Sequence, residues 1–93
     1  MPKHYKTVFD YSNFLSNQRE KILKWFSVNS KLSTIEARDK LGILYPSGRT
    51  LELREQGHFI ITYWVDEPDT NGVIHRVGQY FYLGRKKEAN NDV

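Results

Sequence analysis

Ninety-three residues suffice for one compact domain and not for two. Apolar residues at 39%, charged residues at 27% and aromatic residues at 14% describe a chain that buries a core, and a net charge of +3 is a mild basic excess. The absence of Cys excludes a disulfide framework, a thiolate metal site and a cysteine nucleophile; with no apolar run of ~20 residues and no apolar stretch of signal-peptide length at the start, the default expectation is a cytoplasmic protein without membrane contact.

Residues 1–15 are too apolar for a free tail, with Tyr5, Val8, Phe9, Tyr11, Phe14 and Leu15, yet they show no clean stripe. An extended or short helical arm that packs on the body is expected. The first firm helix is predicted to start near Asn17, where Asn17 and Glu20 make a variant of the capping box. Ile22, Leu23 and Phe26 give it one apolar face, and Asn29-Ser30 end it.

A second, short helix opens at Ser33-Thr34-Ile35-Glu36, a capping box led by Ser. Gly42 stands where a left-handed residue closes such a helix, with Ile43 to supply the apolar contact beyond it. The third helix begins at Pro46, which suits a first helical position, and ends at Gly57, with Thr50, Leu51 and Leu53 available for burial. Only Gly42 to Tyr45 separate the two helices, so they must cross steeply.

From His58 the period changes to two, and Phe59–Val65 and Val73–Leu83 are predicted as strands. Asn71-Gly72 is the strongest two-residue hairpin signal in the chain. A turn centred there pairs residues whose numbers sum to 143. Ile60, Trp64, Val77, Phe81 and Leu83 would then share one face, and Ile61, Tyr63, Val65, Tyr80 and Tyr82 the other. Residues 84–93 have no apolar period and are expected to be a disordered basic and polar tail.

Three helices, the last two joined by a tight turn, and then a hairpin are the order of a winged helix-turn-helix. The predicted fold is therefore α+β: an N-terminal arm (1–15), a winged helix-turn-helix domain with a two-stranded wing (16–83), and the tail (84–93). The residues Gln18-Arg19-Glu20-Lys21-Ile22-Leu23, followed by LSTIEARDKLGILYPSGRTLELREQGHFIIT from Leu32 to Thr62, resemble a family of small winged helix-turn-helix proteins common in phages and prophages. The resemblance covers about residues 17–83 and implies double-stranded DNA as partner, with no particular target.

In such a domain the start of the third helix meets the major groove. Tyr45, Ser47, Gly48 and Arg49 would lie there, with Arg49 suited to a bidentate contact with guanine or phosphate. The competing reading of Arg49 is an ion pair with Glu52 or Glu36. Thr34 and the start of the second helix would meet a phosphate. Residues 1–32 hold six Lys/Arg against Asp10 and Glu20, so Lys21, Lys24 and Lys31 would add backbone contacts.

The wing weakens this reading. Residues 58–83 carry Arg76 against Asp66, Glu67 and Asp69, and carboxylates repel phosphate. The alternative is a winged helix that docks a host or phage protein through Tyr63, Tyr80, Tyr82, Asp66 and Glu67, as an anti-defence inhibitor would. A homodimer burying the aromatic face is a third reading. The acidic loop lacks the ligand spacing of a calcium site, and no nucleophile, phosphate-loop or HExxH pattern occurs. No enzyme activity, metal or cofactor is expected.

Overall fold

The computed structural model describes residues 8–85. The first seven residues of the expected arm and residues 86–93 of the expected tail lie outside the described residues. The elements are α1 (Val8–Phe26), β1 (Lys31–Ser33), α2 (Thr34–Leu41), α3 (Pro46–Glu55), β2 (His58–Pro68) and β3 (Ile74–Arg85). Three helices and an antiparallel sheet make the fold α+β, as expected, with one more strand than the hairpin requires.

Helix α1 starts at Val8, not near Asn17, and runs for 19 residues across the expected boundary at residues 15 and 16. Asn17 is thus an exposed residue inside the helix and caps nothing. A brief strand comes after α1. This β1 pairs antiparallel with β3, Leu32 opposite Tyr80 and Ser33 opposite Gln79, so the sheet order is β1-β3-β2.

The ends of α2 agree with the sequence reading. The Glu36 N–H donates to Ser33 Oγ at 2.9 Å, and the Ser33 N–H donates to Glu36 Oε1 at 3.0 Å. Gly42 is left-handed with φ 69°, and the Ile43 N–H bonds back to the Ala37 carbonyl at 2.9 Å. Ile43 itself is fully buried. Pro46 is the first residue of α3, as its fixed φ and missing N–H allow.

The core gathers Ile22 and Phe26 from α1, Leu32 from β1, Ala37 from α2, Ile43, Leu53 from α3, and Ile60 and Tyr80 from the sheet. Leu51, expected to be available for burial, is 54% exposed because it lies on the outer side of α3 from Leu53. Arg54 ties α3 to the sheet: its Nε donates to the Ile60 carbonyl and its Nη2 to Thr62 Oγ1, each at 2.7 Å.

The hairpin register departs from the sequence reading. His58 pairs with Arg85 and Phe59 with Gly84, which agrees with a sum of 143. An irregularity between Phe59 and Ile60 then shifts every later pair by one, so Ile60 faces Tyr82, Thr62 faces Tyr80, and Trp64 faces Gly78. The tip is not a two-residue turn. It is a loop from Asp69 to Val73, in which Asp69 Oδ1 accepts the N–H groups of Asn71 and Val73 at 2.8 and 3.0 Å.

This one-residue shift exchanges the partners across the sheet. Tyr80 and Tyr82 join Ile60 on the core side, where Tyr82 stacks on Phe26 with ring centroids 5.1 Å apart. Tyr80 is 4% exposed. The expected outer face of Tyr63, Tyr80 and Tyr82 therefore does not exist. Tyr63 instead meets Phe81 edge to face at 5.2 Å.

Candidate nucleic-acid interface

The start of α3 is open. Tyr45 caps the helix with its backbone only and its side chain is 72% exposed. Ser47 is exposed, and a Cβ placed on Gly48 would meet nothing within 4 Å. Leu44, just before them, is also exposed.

Arg49 does not belong to this open surface. Its Nε and Nη2 each donate to the Glu52 carboxylate at 2.9 Å, and its Nη1 donates to Gln18 Oε1 at 3.2 Å. Arg19 of α1 adds a bond to Glu52 Oε1 at 2.7 Å. The Arg49 side chain keeps only 13% of its exposure. All three nitrogen groups are taken by neighbours, so the expected bidentate reader is a clamp between α1 and α3. The Glu52 carboxyl is held below its usual range, first by the hydrogen bond from Arg49 and also by Arg19, against the opposing effect of burial.

Thr34 is displaced from its expected role for a similar reason. It is 8% exposed, and its hydroxyl donates to the Gly78 carbonyl at 2.8 Å, joining α2 to β3. Lys21, Lys24 and Lys31 are exposed as expected. Lys21 Nζ donates to the Leu41 carbonyl at the end of α2, and Trp25 Nε1 donates to the Lys31 carbonyl at 2.7 Å. Lys40, which no sequence pattern singles out, lies 5.8 Å from the Trp25 ring centre.

The acidic residues of the wing are partnered unequally, and Glu67 Oε1 is buried with no hydrogen-bond partner among the described residues. Glu67 faces His75 and not Arg76, again by the one-residue shift. Asp69 Oδ2 meets His75 Nε2 at 2.8 Å. That bond, together with the backbone N–H groups of the loop, holds the Asp69 carboxyl below its usual range. Arg76 faces Asp66 with 3.9 Å between the charged atoms, both widely exposed, a separation at which water competes effectively.

Between α2, the start of α3 and the wing lies a cleft of about 220 Å³. Its walls include Arg38, Tyr45 and Ser47 on one side and Trp64 and Arg76 on the other, with Gly78 and Tyr80 at the sheet. The sheet register explains this: Trp64 and Arg76 continue the core-facing rows of β2 and β3 outward beyond the helices. Arg38 donates Nε to the Leu44 carbonyl at 3.3 Å, which holds it beside the turn while the rest of its guanidinium makes no hydrogen bond among the described residues. None of the described residues lining this cleft is a carboxylate.

Tyr45 and Ser47 line this cleft together with Arg38, Trp64 and Arg76, which the sequence reading does not place beside them. Arg38 carries no signal beyond that of an ordinary helix residue. Trp64 and Arg76 come together only in the shifted register, which a symmetric turn at Asn71-Gly72 does not produce.

An open helix start beside a β-hairpin on a helix-turn-helix body is the architecture of the winged helix-turn-helix class, whose members characteristically bind DNA. The winged helix-turn-helix domain family matches residues 17–84, and the chain belongs to it. Comparisons with curated proteins and with solved structures return no match. No helix among the described residues is long and apolar enough to cross a membrane.

Proposed function

We propose that the protein binds double-stranded DNA through the surface formed by the start of α3, Arg38 of α2 and the inner side of the wing. The observation that supports this reading most directly is the cleft beside α3: two guanidinium groups, a serine hydroxyl and two exposed aromatic rings, with no carboxylate among its described lining residues. Tyr45, Ser47 and the open backbone at Gly48 meet the major groove, and Arg38 and Arg76 meet phosphates. Lys21, Lys24 and Lys31 supply further charge outside this surface. The role is that of a phage or prophage regulator or accessory factor in the cytoplasm, without catalysis.

The test is fluorescence anisotropy with a labelled duplex at low salt. Arg38→Ala and Arg76→Ala weaken binding on every duplex, whereas Arg49→Ala leaves the affinity of the folded protein unchanged. Absence of binding to any duplex at low salt rules the reading out.

A second reading is a protein partner or a second copy docked on the outer side of the sheet. Tyr63, 55% exposed and packed against Phe81, and the outer edge of the 11-residue β2, unpaired among the described residues, favour it. Tyr80 and Tyr82 take no part in such a surface. Asp66, opposite Arg76, belongs to the inner row and takes no part in it either, and Glu67 is half-buried.

A further inference from the structure

We infer that the cleft between α3 and the wing is a binding site for one unpaired nucleotide of DNA, so that the protein prefers a duplex that ends in a single strand over a blunt one. The inference rests on the DNA-binding reading above and adds a substrate class to it.

The cleft has the chemistry that a single-stranded nucleotide needs. A base lifted out of a stack exposes two flat apolar faces, which aromatic rings replace, and its phosphates remain charged. Trp64 is 62% exposed and Tyr45 72% exposed, and the two residues line the same cleft, one from β2 and the other from the turn before α3. Large aromatic groups left in water beside two arginines are more than a DNA backbone contact requires.

The floor of the cleft is closed by the protein's own atoms. Trp64 is paired with Gly78, and a Cβ on Gly78 would come within 3.2 Å of the Tyr80 hydroxyl and 3.3 Å of Thr62 Cγ2, so glycine is what lets these side chains pack against the strand. The floor is rigid, since the Gly78 carbonyl accepts the Thr34 hydroxyl at 2.8 Å.

Charge makes an anionic occupant the fitting one. Arg38, Arg76 and Ser47 line the cleft together with the two aromatic residues. The nearest carboxylate partner, Asp66, is 3.9 Å from Arg76 in an exposed pair, a contact that a phosphate displaces readily.

The experiment compares a blunt duplex with the same duplex carrying a single-stranded overhang at either end. Affinities are measured by anisotropy at low salt for the wild type, Trp64→Ala and Trp64→Phe. The wild type is expected to bind one overhang polarity about tenfold more tightly than the blunt duplex. Trp64→Ala lowers the affinity for the overhanging duplex by more than that for the blunt one, so that the ratio of the two falls to about one, and Trp64→Phe restores part of that ratio. Trp64 is exposed, so loss of the fold does not confound the comparison, and thermal melting of each variant verifies this.

Equal affinity of the wild type for blunt and overhanging DNA overturns the inference and leaves duplex binding standing. A preference for the overhang that survives in Trp64→Ala also overturns it, since the nucleotide then lies elsewhere. Failure of the wild type to bind either DNA overturns the inference and the duplex reading together.

Discussion

Arg49 illustrates how a residue of the right type at the right position can serve another purpose. It lies one turn into α3, where a base-reading arginine is expected, but Glu52 three residues on and Gln18 across the α1–α3 contact take all of its nitrogen groups. Arg49→Ala is therefore expected to lower stability by about 1–2 kcal/mol, a fraction of the cost of breaking a fully buried pair because water still reaches this one. Its duplex affinity, measured well below the melting temperature, should remain that of the wild type. Glu52→Gln should be destabilising as well, because it removes the common acceptor of two guanidinium groups. The competition between Arg49 as reader and Arg49 as ion pair is visible in the sequence. Gln18 and Arg19 settle it, and only the packing of α1 on α3 brings them near.

His58 makes a second prediction at this scale. It is 7% exposed, with Nδ1 at 2.9 Å from the Tyr82 hydroxyl and Nε2 at 3.1 Å from Arg85 Nη1. Arg85 can only donate, so Nε2 accepts and the ring is neutral, with its proton on Nδ1. Burial first, and the Arg85 charge second, push the His58 pKa down. A histidine whose folded pKa is depressed stabilises the fold fully above its unfolded value near 6.5, and that contribution is lost as pH falls below it towards the folded value. The melting temperature should accordingly drop as pH falls from about 6.5 towards 5, before the carboxylates titrate. In His58→Gln this slope should disappear, although the variant is less stable at neutral pH.

At the scale of elements, the ends of α2 are legible in the sequence because capping is local chemistry. Ser33 and Glu36 exchange two hydrogen bonds within four residues, and Gly42 is set by a backbone angle that other residues adopt at a cost. Ser33→Ala should reduce stability by about 1 kcal/mol in a denaturant melt, and Gly42→Ala by a similar amount. The start of α1, strand β1 and the hairpin register are not legible in this way. Nothing in Lys31-Leu32-Ser33 alone signals a strand; those residues pair because β3 offers them an edge. The Asn71-Gly72 signal is real in placing a turn, yet Asp69 outcompetes it by accepting two loop N–H groups and making the loop longer. With the shift between Phe59 and Ile60, that is enough to turn the two inner tyrosines from the expected outer face to the core. A difference of one residue in register leaves the fold class intact while moving most of the candidate surface.

For the whole molecule, the distribution of charge matters more than its sum. Arg38 and Arg76 border the cleft, whereas Lys40 Nζ lies 5.8 Å from the ring centre of Trp25, which does not line it. A duplex held by the cleft alone releases the counterions of about two phosphates, which gives a slope of about −2 when log affinity is plotted against log salt. If Lys21, Lys24 and Lys31 also touch the backbone, about five phosphates are involved and the slope steepens to about −4 to −5. None of these three lysines lines the cleft, so the smaller slope is expected for a short duplex. Arg38→Ala and Arg76→Ala should each reduce it by about 1, and the triple change of Lys21, Lys24 and Lys31 to Gln should leave it nearly unchanged. A steep slope that falls only in the triple variant would move the DNA from the wing side of α3 to the α1 flank.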